Sequence, residues 1–314
     1  MFNRSEFRGA VTGLALVAAL LLAAVSFDLG IVGEVLQSLR FHIAALLALA
    51  VIALLAAGGW WRAAIFALVL GASVVEGGAV IYRQQAARLE VAAAPHAPLL
   101  KLLSFNILGH NDNGAAIAEF IKGSGADVVV VMEAAPLFAH LASLGEVYRG
   151  RAGCDLEATC DLMLLSREPL GDVAFHSLSP YWRNRLVTAK TRVGDKTITI
   201  AGAHMVKPYF DWVSVAEARA VRRTLDQIEG PLVLAGDFNA AAWSDNIDWL
   251  VRNAGLLPGP GYPATWPVRL GPLGVPIDNV FTRAPLVIET ISALEDPMGS
   301  NHRGLIATIS LAAE

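Results

Sequence analysis

The sequence predicts three membrane-spanning helices followed by a layered α/β domain. Of its 314 residues, 55% are hydrophobic and only 17% are charged, whereas a soluble domain carries about 25% charged residues. Charged residues are scarce between Gly9 and Tyr82, but residue 91 onward contains 18 Lys and Arg against 23 Asp and Glu. Strand-like apolar runs alternate with helical patterns in that second part, which indicates an α/β domain. This distribution excludes a single soluble domain, a disordered chain and a wholly membrane-embedded transporter.

The predicted anchor, residues 1–90, contains three apolar stretches at about 10–27, 43–61 and 63–82. Each has about the 17–25 residues that a helix needs to cross the hydrocarbon core. Arg4 and Arg8 before the first stretch are compatible with a signal peptide, but two more spans follow without a convincing cleavage site. We therefore expect three retained helices. Glu76 lies inside the third stretch, and we interpret it as close enough to the end of the span to reach lipid headgroups.

The orientation of the anchor is not decided by its basic residues. If the N-terminus is cytoplasmic, the two sides of the membrane carry the same number of basic residues near the spans. Arg4, Arg8 and Arg62 would then lie inside, and Arg40, Arg83 and Arg88 outside. Cys154 and Cys160 form either a small disulfide loop, which requires an oxidising compartment, or two free thiols. Together with the odd number of helices, the cysteines favour a protein of the bacterial plasma membrane whose second domain is extracytoplasmic, in the periplasm.

Residues 91–98 are interpreted as a linker, and residues 99–314 as the second domain, which is long enough to bury its own core. Apolar strand runs are predicted at 99–107, 127–132, 162–165, 186–192, 197–203, 232–235, 279–281 and 305–309. The clearest helix is expected to start at Ser214, with Glu217 completing a capping box and an apolar stripe at Val221, Leu225 and Ile228. The Pro- and Gly-rich stretch 256–276 is expected to lack regular structure.

Acids, amides and histidines stand where these apolar strands end or begin. The positions are Asn106, Glu133, His204, Asp237, Asn239, Asp278, Asn301 and His302. A buried carboxylate is costly unless it is paired, hydrogen-bonded or bound to a cation. One Asp is readily explained as a helix cap, but several strand ends with such residues predict a common site. Oxygen donors without thiolates favour Mg²⁺ or Mn²⁺ over zinc, and no phosphate loop or serine-nucleophile motif competes.

The motifs around these residues resemble those of the endonuclease/exonuclease/phosphatase superfamily. They are SFN ending at Asn106, VVVVME at Glu133, GAH at His204, LAGDFNA around Asp237 and Asn239, PID at Asp278 and SNH at His302. The superfamily includes pancreatic-type deoxyribonucleases, abasic-site endonucleases, inositol polyphosphate 5-phosphatases and neutral sphingomyelinases. The resemblance covers the chain from about Leu99 onward and implies a four-layer α/β sandwich, with two β-sheets flanked by helices. A short catalytic domain behind three spans also resembles the bacterial membrane branch associated with teicoplanin resistance.

The resemblance implies a role for each of these residues. Glu133 would bind the divalent metal, with Asn106 supporting it, and Asp237 would orient or deprotonate the attacking water. Asn239 would hydrogen-bond a phosphoryl oxygen, and His302 would contact the phosphate with Asp278 fixing its tautomer. His204 would lie near the scissile phosphate as an acid or charge stabiliser. The family leaves open which residue is the general base.

This chain departs from the family pattern at Asn301. The family usually has Ser-Asp-His where this chain has Ser300-Asn301-His302. Because that Asp commonly faces the metal, Asn301 should weaken cation affinity. Loss of activity is the extreme consequence, and it would make the chain a non-catalytic binding or scaffold protein.

Two kinds of substrate remain for an enzyme of this family. A nuclease needs a basic face, but residue 91 onward has more acidic than basic residues, and Arg219, Arg222 and Arg223 are interpreted as a solvated helix surface. A phosphorylated lipid or lipid-linked substrate is favoured over nucleic acid, because the enzyme is held at a membrane and aromatic residues suit an interface. These loop residues are Tyr181, Trp182, Tyr209, Phe210, Trp212, Tyr262, Trp266 and Leu270. Lys207, Arg183 and Arg185 are candidates to receive phosphate oxygens, although a surface role is equally compatible.

Overall fold

The computed structural model describes residues 3–27, 31–93, 96–209 and 212–312. The chain forms two compact units. The first comprises Met1–Arg83 with Trp243–Asp245, and the second comprises Gln84–Ala242 with Asn246–Glu314. The anchor, linker and domain boundaries drawn from the sequence stay predictions. The third helix ends at Ala92 and the first strand starts at His96, and both positions lie within the expected linker.

The first unit is built from three long helices: α1 (Arg4–Val25), α2 (Ile31–Ala56) and α3 (Trp60–Ala92). All three are long and apolar enough to cross a membrane. The Asn3 side chain accepts hydrogen bonds from the N–H groups of Ser5 and Glu6, and Glu6 reaches back to the Asn3 backbone, so that α1 starts with a capping box. A short turn with a positive φ at Gly58 separates α2 from α3, so that Trp60 and Trp61 open the third helix.

Glu76 has partners within this unit. Arg40 Nη2 lies 3.4 Å from Glu76 Oε1, and Ser26 Oγ donates a 3.0 Å hydrogen bond to Oε2. Helix α3 also continues to Ala92. Arg40 therefore compensates part of the charge of Glu76, and the closeness of Glu76 to lipid headgroups stays a prediction.

The second unit contains twelve strands in the described residues, together with four α-helices. The strands are β1 (His96–Asn106), β2 (Val128–Met132), β3 (Gly150–Ala152), β4 (Leu162–Ser166), β5 (Gly171–His176), β6 (Leu186–Val193), β7 (Lys196–His204), β8 (Leu232–Asp237), β9 (Leu256–Pro258), β10 (Asp278–Arg283), β11 (Leu286–Ala293) and β12 (Leu305–Ala312). The helices are α4 (Gly114–Gly123), α5 (Leu141–Leu144), α6 (Val213–Leu225) and α7 (Asp245–Asn253). Short 3₁₀ helices cover Ala135–His140, Glu157–Thr159 and Val268–Leu273.

The strands form two six-stranded mixed sheets. The first has the order β11-β12-β1-β2-β4-β3, and the second has the order β5-β6-β7-β8-β10-β9. In each sheet one central pair is parallel, β1 with β2 and β7 with β8, while their outer neighbours are antiparallel. Strand β9 and the 3₁₀ helix Val268–Leu273 both lie in 256–276, so the prediction of an irregular stretch is wrong there. A three-residue edge strand tolerates Pro258 at its end.

Three apolar cores show that the unit has four layers. One core lies between the sheets and contains residues such as Val130 and Leu164 of the first sheet and Ile200 and Val233 of the second. A second core packs α6 and α7 on the outer face of the second sheet. A third packs α4 on the outer face of the first sheet. The predicted sandwich of two sheets flanked by helices is confirmed.

Helix α6 starts differently from the prediction. It begins at Val213, and its N-cap residue, Trp212, makes no side-chain capping bond. The capping box predicted from Ser214 and Glu217 is therefore wrong. Glu217 is fully buried and instead accepts hydrogen bonds from two loops of the domain, because a carboxylate in the interior must find donors.

Candidate active site

Three of the predicted site residues lie side by side on the second sheet. His204, the last residue of β7, is in register with Asp237, the last residue of the parallel strand β8. Asp237 is in turn in register with Asp278, the first residue of β10. Because β10 runs antiparallel to β8, its start lies at the edge where β8 ends. All three side chains are buried.

The first sheet contributes two more residues to the same place. Asn106 ends β1 beside Met132 of β2, and Glu133 follows directly. The Asn106 side-chain amide donates to Glu133 Oε1 at 3.2 Å and to Asp237 Oδ2 at 3.0 Å. This one amide therefore links the two sheets, and the site lies where their corresponding edges meet.

The backbone conformation of the Gly-Asp-Phe-Asn segment restricts which amino acids can occupy its first and last positions. Gly236 has a φ of +150°, and a Cβ there would collide with the carbonyl oxygen of Ala203, so only glycine fits. Asn239 has a φ of 52°, which Asn tolerates better than most residues. Its N–H donates to Asp237 Oδ1 at 2.8 Å, and its side-chain amide donates to the Met205 carbonyl at 2.8 Å. The turn thus fixes the side chains of both predicted site residues, Asp237 and Asn239.

Glu133 also has a positive φ, 53°, a conformation that costs a non-glycine residue roughly 1 kcal/mol or more. The Gly109 N–H donates to its Oε2 at 2.8 Å. Burial alone would raise the pKa of Glu133, but the hydrogen bonds from Gly109 and Asn106 and the nearby His204 and His302 lower it. Glu133 is therefore a half-buried, ionised carboxylate beside the cluster on the second sheet.

His302 lies between two buried carboxylates. Its Nδ1 is 2.8 Å from Asp278 Oδ2, and its Nε2 is 3.8 Å from Asp237 Oδ2. Ser300 holds this segment against β1, because its hydroxyl donates to the Asn106 carbonyl at 2.7 Å and accepts from the His302 N–H. Burial lowers the pKa of His302, but the charges of Asp278, Asp237 and Glu133 outweigh it and raise the pKa to about 9.

Asp237 has the opposite electrostatic environment. Burial, followed by the negative charge of Asp278, raises its pKa, and the two histidines only partly offset this. Ligand atoms of Asp237, Asp278 and His302 all lie within 4.8 Å of one another, a spacing that can hold a metal ion. The imidazolium offsets one of the two carboxylate charges of this cluster, so a cation bound by the His302 ring would have to replace its proton.

The sequence reasoning missed Asp161. Its Oδ2 is 3.0 Å from His204 Nδ1 and 3.3 Å from Arg185 Nε. Burial would raise the pKa of Asp161, but the bond to His204 and the charges of both partners lower it. Its place directly before β4 is the feature of the sequence that could have indicated it. Since β4 is antiparallel to β2 and Leu162 pairs with Met132, a strand start here lies at the same edge as Glu133.

Asn301 is the one predicted site residue outside this network. It is exposed, and its backbone carbonyl accepts from the Val268 N–H at 3.4 Å. In the described part of the chain, its side chain has no hydrogen bond. The structure therefore brings together seven of the eight predicted residues and leaves Asn301 at the surface beside them.

A cleft of about 860 Å³ adjoins the site. Glu133, His204 and Asn239 lie on its inner side, and the 3₁₀ helix Glu157–Thr159 with Cys160 forms one wall. Cys160 is joined to Cys154 by a disulfide. The other walls are the loop 181–185, with Tyr181, Trp182, Arg183 and Arg185, and the segment 205–209, with Lys207 and Tyr209.

Only part of the predicted aromatic surface belongs to this cleft. Tyr181 is 73% exposed and Tyr209 is 52% exposed, and both line it. Its described lining residues do not include Trp212, Tyr262, Trp266 or Leu270. Phe210 and Asp211 lie outside the described residues.

Known proteins share this fold. Sphingomyelinase C from Streptomyces griseocarneus has a TM-score of 0.54 at 17% identity, over 68% of this chain and 99% of its own. Beta toxin from Staphylococcus aureus, a mutant with bound magnesium ions, has 0.54 at 14%, over 67% and 99%. TDP2 from D. rerio, complexed with a single-strand DNA product, has 0.55 at 15%, over 67% and 98%.

No curated protein matches the chain in sequence. A profile of the Endonuclease/Exonuclease/phosphatase family, however, matches residues 103–302. That range is more than half of the chain and extends from β1 to His302, so it includes all the site residues described above. The chain belongs to the Endonuclease/Exonuclease/phosphatase family.

Proposed function

We propose that this chain is a membrane-anchored, divalent-metal-dependent phosphoesterase, in the bacterial branch associated with teicoplanin resistance. It hydrolyses a phosphate ester or pyrophosphate bond of a membrane lipid or lipid-linked molecule by in-line attack of water. The observation that carries the proposal is the buried Asp237–His302–Asp278 cluster beside Glu133 and Asn106. Residues that are costly to bury converge beside one cleft, as expected of a catalytic site.

The donors beside the cleft fit Mg²⁺ or Mn²⁺. Glu133 offers an ionised carboxylate held by the Gly109 N–H, and Asn106 offers an amide oxygen, the donor types that these hard cations prefer. Both would hold the ion, with Asn301 as a third, neutral ligand. A bound cation supplies Lewis-acid chemistry by polarising a phosphoryl oxygen. The magnesium ions of the beta toxin structure support this assignment.

Asp237 is the candidate general base. Its raised pKa increases its affinity for a proton. The bonds from the Asn106 amide and the Asn239 N–H orient its carboxylate. One N–H of the Asn239 side chain is bound to Met205, and the second donates to a phosphoryl oxygen in the proposed reaction.

The two histidines have different tasks. His302 is an imidazolium at neutral pH because its pKa is about 9, so it neutralises charge on the phosphoryl group, and Asp278 fixes its ring. His204 donates from Nδ1 to Asp161, which leaves Nε2 to protonate the leaving group or stabilise its charge. The ring lines the cleft, where a substrate would lie.

Three observations support a lipid over a nucleic acid. The chain has three helices apolar enough to span a membrane, the cleft carries the exposed rings of Tyr181 and Tyr209, and residue 91 onward is acidic on balance. Sphingomyelinase C shares the fold. The second candidate, a nuclease, is favoured by Arg183, Arg185 and Lys207 in the cleft and by the fold shared with the DNA-bound TDP2.

We assign the catalytic domain to the extracytoplasmic side of the membrane. The Cys154–Cys160 disulfide supports this, because such bonds persist in oxidising compartments. A C-terminal fusion to alkaline phosphatase should be active in intact bacteria. An inactive fusion that is present at normal amounts would place the domain in the cytoplasm.

The deciding experiment uses the full chain in detergent micelles that also contain the substrate. Lipid phosphates, a lipid pyrophosphate and plasmid DNA are compared with Mg²⁺, with Mn²⁺ and with EDTA. We expect metal-dependent release of phosphate or headgroup from lipid, lost in Asp237→Asn and His302→Ala proteins. Asp172→Asn is the matched control, since Asp172 is an exposed partner of Lys190.

Cleavage of DNA but not lipid would replace this proposal with the nuclease. Folded protein that cleaves none of the substrates would favour the scaffold alternative. Activity that survives both site substitutions would refute the site assignment itself.

A further inference from the structure

Glu217 is a buried carboxylate that the proposed chemistry does not use. It lies on α6 with 0% of its surface exposed. Its Oε1 accepts a hydrogen bond from Ser179 Oγ at 2.9 Å, and its Oε2 accepts one from the Val206 N–H at 2.7 Å. Burial raises the pKa of this carboxyl even though both hydrogen bonds lower it. A group this costly to bury needs a structural or functional reason.

The two partners of Glu217 belong to two different walls of the cleft. Ser179 begins the segment that leads into the loop 181–185, and Val206 lies within the segment 205–209. These walls carry the three cations of the cleft, Arg183, Arg185 and Lys207. One buried carboxylate thus joins the segments that form both walls.

Each wall also has a second attachment, to a strand that carries a predicted site residue. The His204 N–H donates to the Arg185 carbonyl at 2.9 Å, and the Met205 N–H donates to the Asp237 carbonyl at 2.8 Å. The segment 179–185 is therefore held between Glu217 at its start and β7 at its end, whereas both attachments of the segment 205–209 lie at its first two residues, Met205 and Val206. Loss of the inner attachment would leave a wall fixed only at the strand end.

We infer that Glu217 is a positioning residue for substrate binding, a role that rests on the proposed phosphoesterase function. It holds the loops 179–185 and 205–209 at the separation that fits a large headgroup. A substrate that fills the cleft needs both walls, whereas a small phosphodiester needs only the residues at the strand ends. Glu217 therefore sets KM for large substrates rather than kcat.

Three substitutions separate the contributions. Glu217→Leu removes both hydrogen bonds at similar volume, and Ser179→Ala removes only the bond to the first loop. Glu217→Gln should rescue, because its amide oxygen still accepts from Val206 while its amide nitrogen donates to the Ser179 hydroxyl. Asp248→Leu is the matched control, since Asp248 is a buried carboxylate on α7 that binds Gln84 and Arg252, none of which lines the cleft.

The kinetic test compares a lipid phosphate with bis-p-nitrophenyl phosphate, using the full chain in micelles. In Glu217→Leu we expect KM for the lipid to rise about tenfold or more, the loss typical of hydrogen bonds to a buried charged group, with kcat and the small substrate changed less than about threefold. Ser179→Ala should show a smaller rise, and Glu217→Gln and Asp248→Leu almost none. Equal losses for both substrates, or a similar effect in Asp248→Leu, would overturn the inference.

A second measurement does not depend on activity. Amide hydrogen exchange should accelerate in both 177–185 and 204–209 in Glu217→Leu, but only in 177–185 in Ser179→Ala. Unchanged exchange in both loops would refute the positioning role even in an active enzyme. If the wild-type protein cleaves no substrate, the proposed function fails, and the exchange result alone decides the role of Glu217.

Discussion

Replacing Asp278 with Asn should remove the high pKa of His302. The wild-type carboxylate Oδ2 lies 2.8 Å from His302 Nδ1, and both residues are buried. Burial lowers the pKa of His302, and the charge of Asp278 is the largest of the effects that raise it, to about 9. Asn keeps the size and an acceptor oxygen but not the charge, so the pKa should fall back toward its ordinary value.

The size of the effect follows from the two pKa values. A rise from 6.5 to about 9 favours the folded imidazolium by about 3 kcal/mol. Because the folded pKa is raised, this stabilisation is complete below about pH 6.5 and is lost as the pH rises through about 9. The difference in unfolding free energy between wild type and Asp278→Asn should therefore be largest near pH 6 and shrink by up to about 3 kcal/mol toward pH 9.

The titration can be followed by NMR of histidine-labelled protein in EDTA, with His302 assigned from a His302→Gln sample. His176 is the internal control, because burial alone lowers its pKa and Asp278→Asn should not change it. In the lipid assay, wild-type activity should decline above about pH 9, and that of the variant at a lower pH. A wild-type His302 that titrates near 6.5, or a midpoint unchanged in the variant, would refute the reasoning.

Four further outcomes are expected. Asp237→Asn should lower kcat in the phosphoesterase assay by about 10²–10⁴-fold, the usual contribution of a general base, while circular dichroism stays unchanged. Asn301→Asp should lower the Mg²⁺ concentration for half-maximal activity, because a carboxylate replaces a neutral ligand; an identical titration would contradict its placement at the metal. Gly236→Ala should destabilise the domain by roughly 3 kcal/mol or more in a denaturant titration, since the new Cβ meets the Ala203 carbonyl and the backbone has no room to shift. A Cys154→Ser, Cys160→Ser double variant should lose about 2 kcal/mol of stability, because the disulfide closes a small loop. Its kcat should also be lower, because Asp161, the residue after Cys160, holds His204. Full activity in dithiothreitol would contradict the effect on kcat.

The sequence predicted the central strands and the residues at their ends. Runs such as Val128–Met132 and Leu232–Asp237 are buried on both faces and are therefore apolar without interruption, which makes a polar residue at the end conspicuous. The position of Glu133 and Asp237 at one edge then follows from strand direction alone. For this reason the local sequence indicated most of the residues that meet at this edge.

Other elements depend on partners that are distant in the chain. Edge strands β3 and β9 have three residues each, too few for a pattern, and form only because β4 and β10 offer a ladder. The pairing of Asp161 with His204 joins residues on two sheets. Glu217 fits the local pattern of a capping box, but its buried carboxylate instead accepts hydrogen bonds from two loops. The local sequence does not show which of several distant partners such a residue will bind.

The row formed by His204, Asp237 and Asp278 has a consequence for how this protein can evolve. Ladder pairing on neighbouring strands sets their spacing, whereas the walls of the cleft are loops between strands and helices. Insertions and exchanges in those loops leave the ladder intact. A lineage with this sheet can therefore acquire new substrates by changing loops, while its hydrolytic chemistry is inherited unchanged.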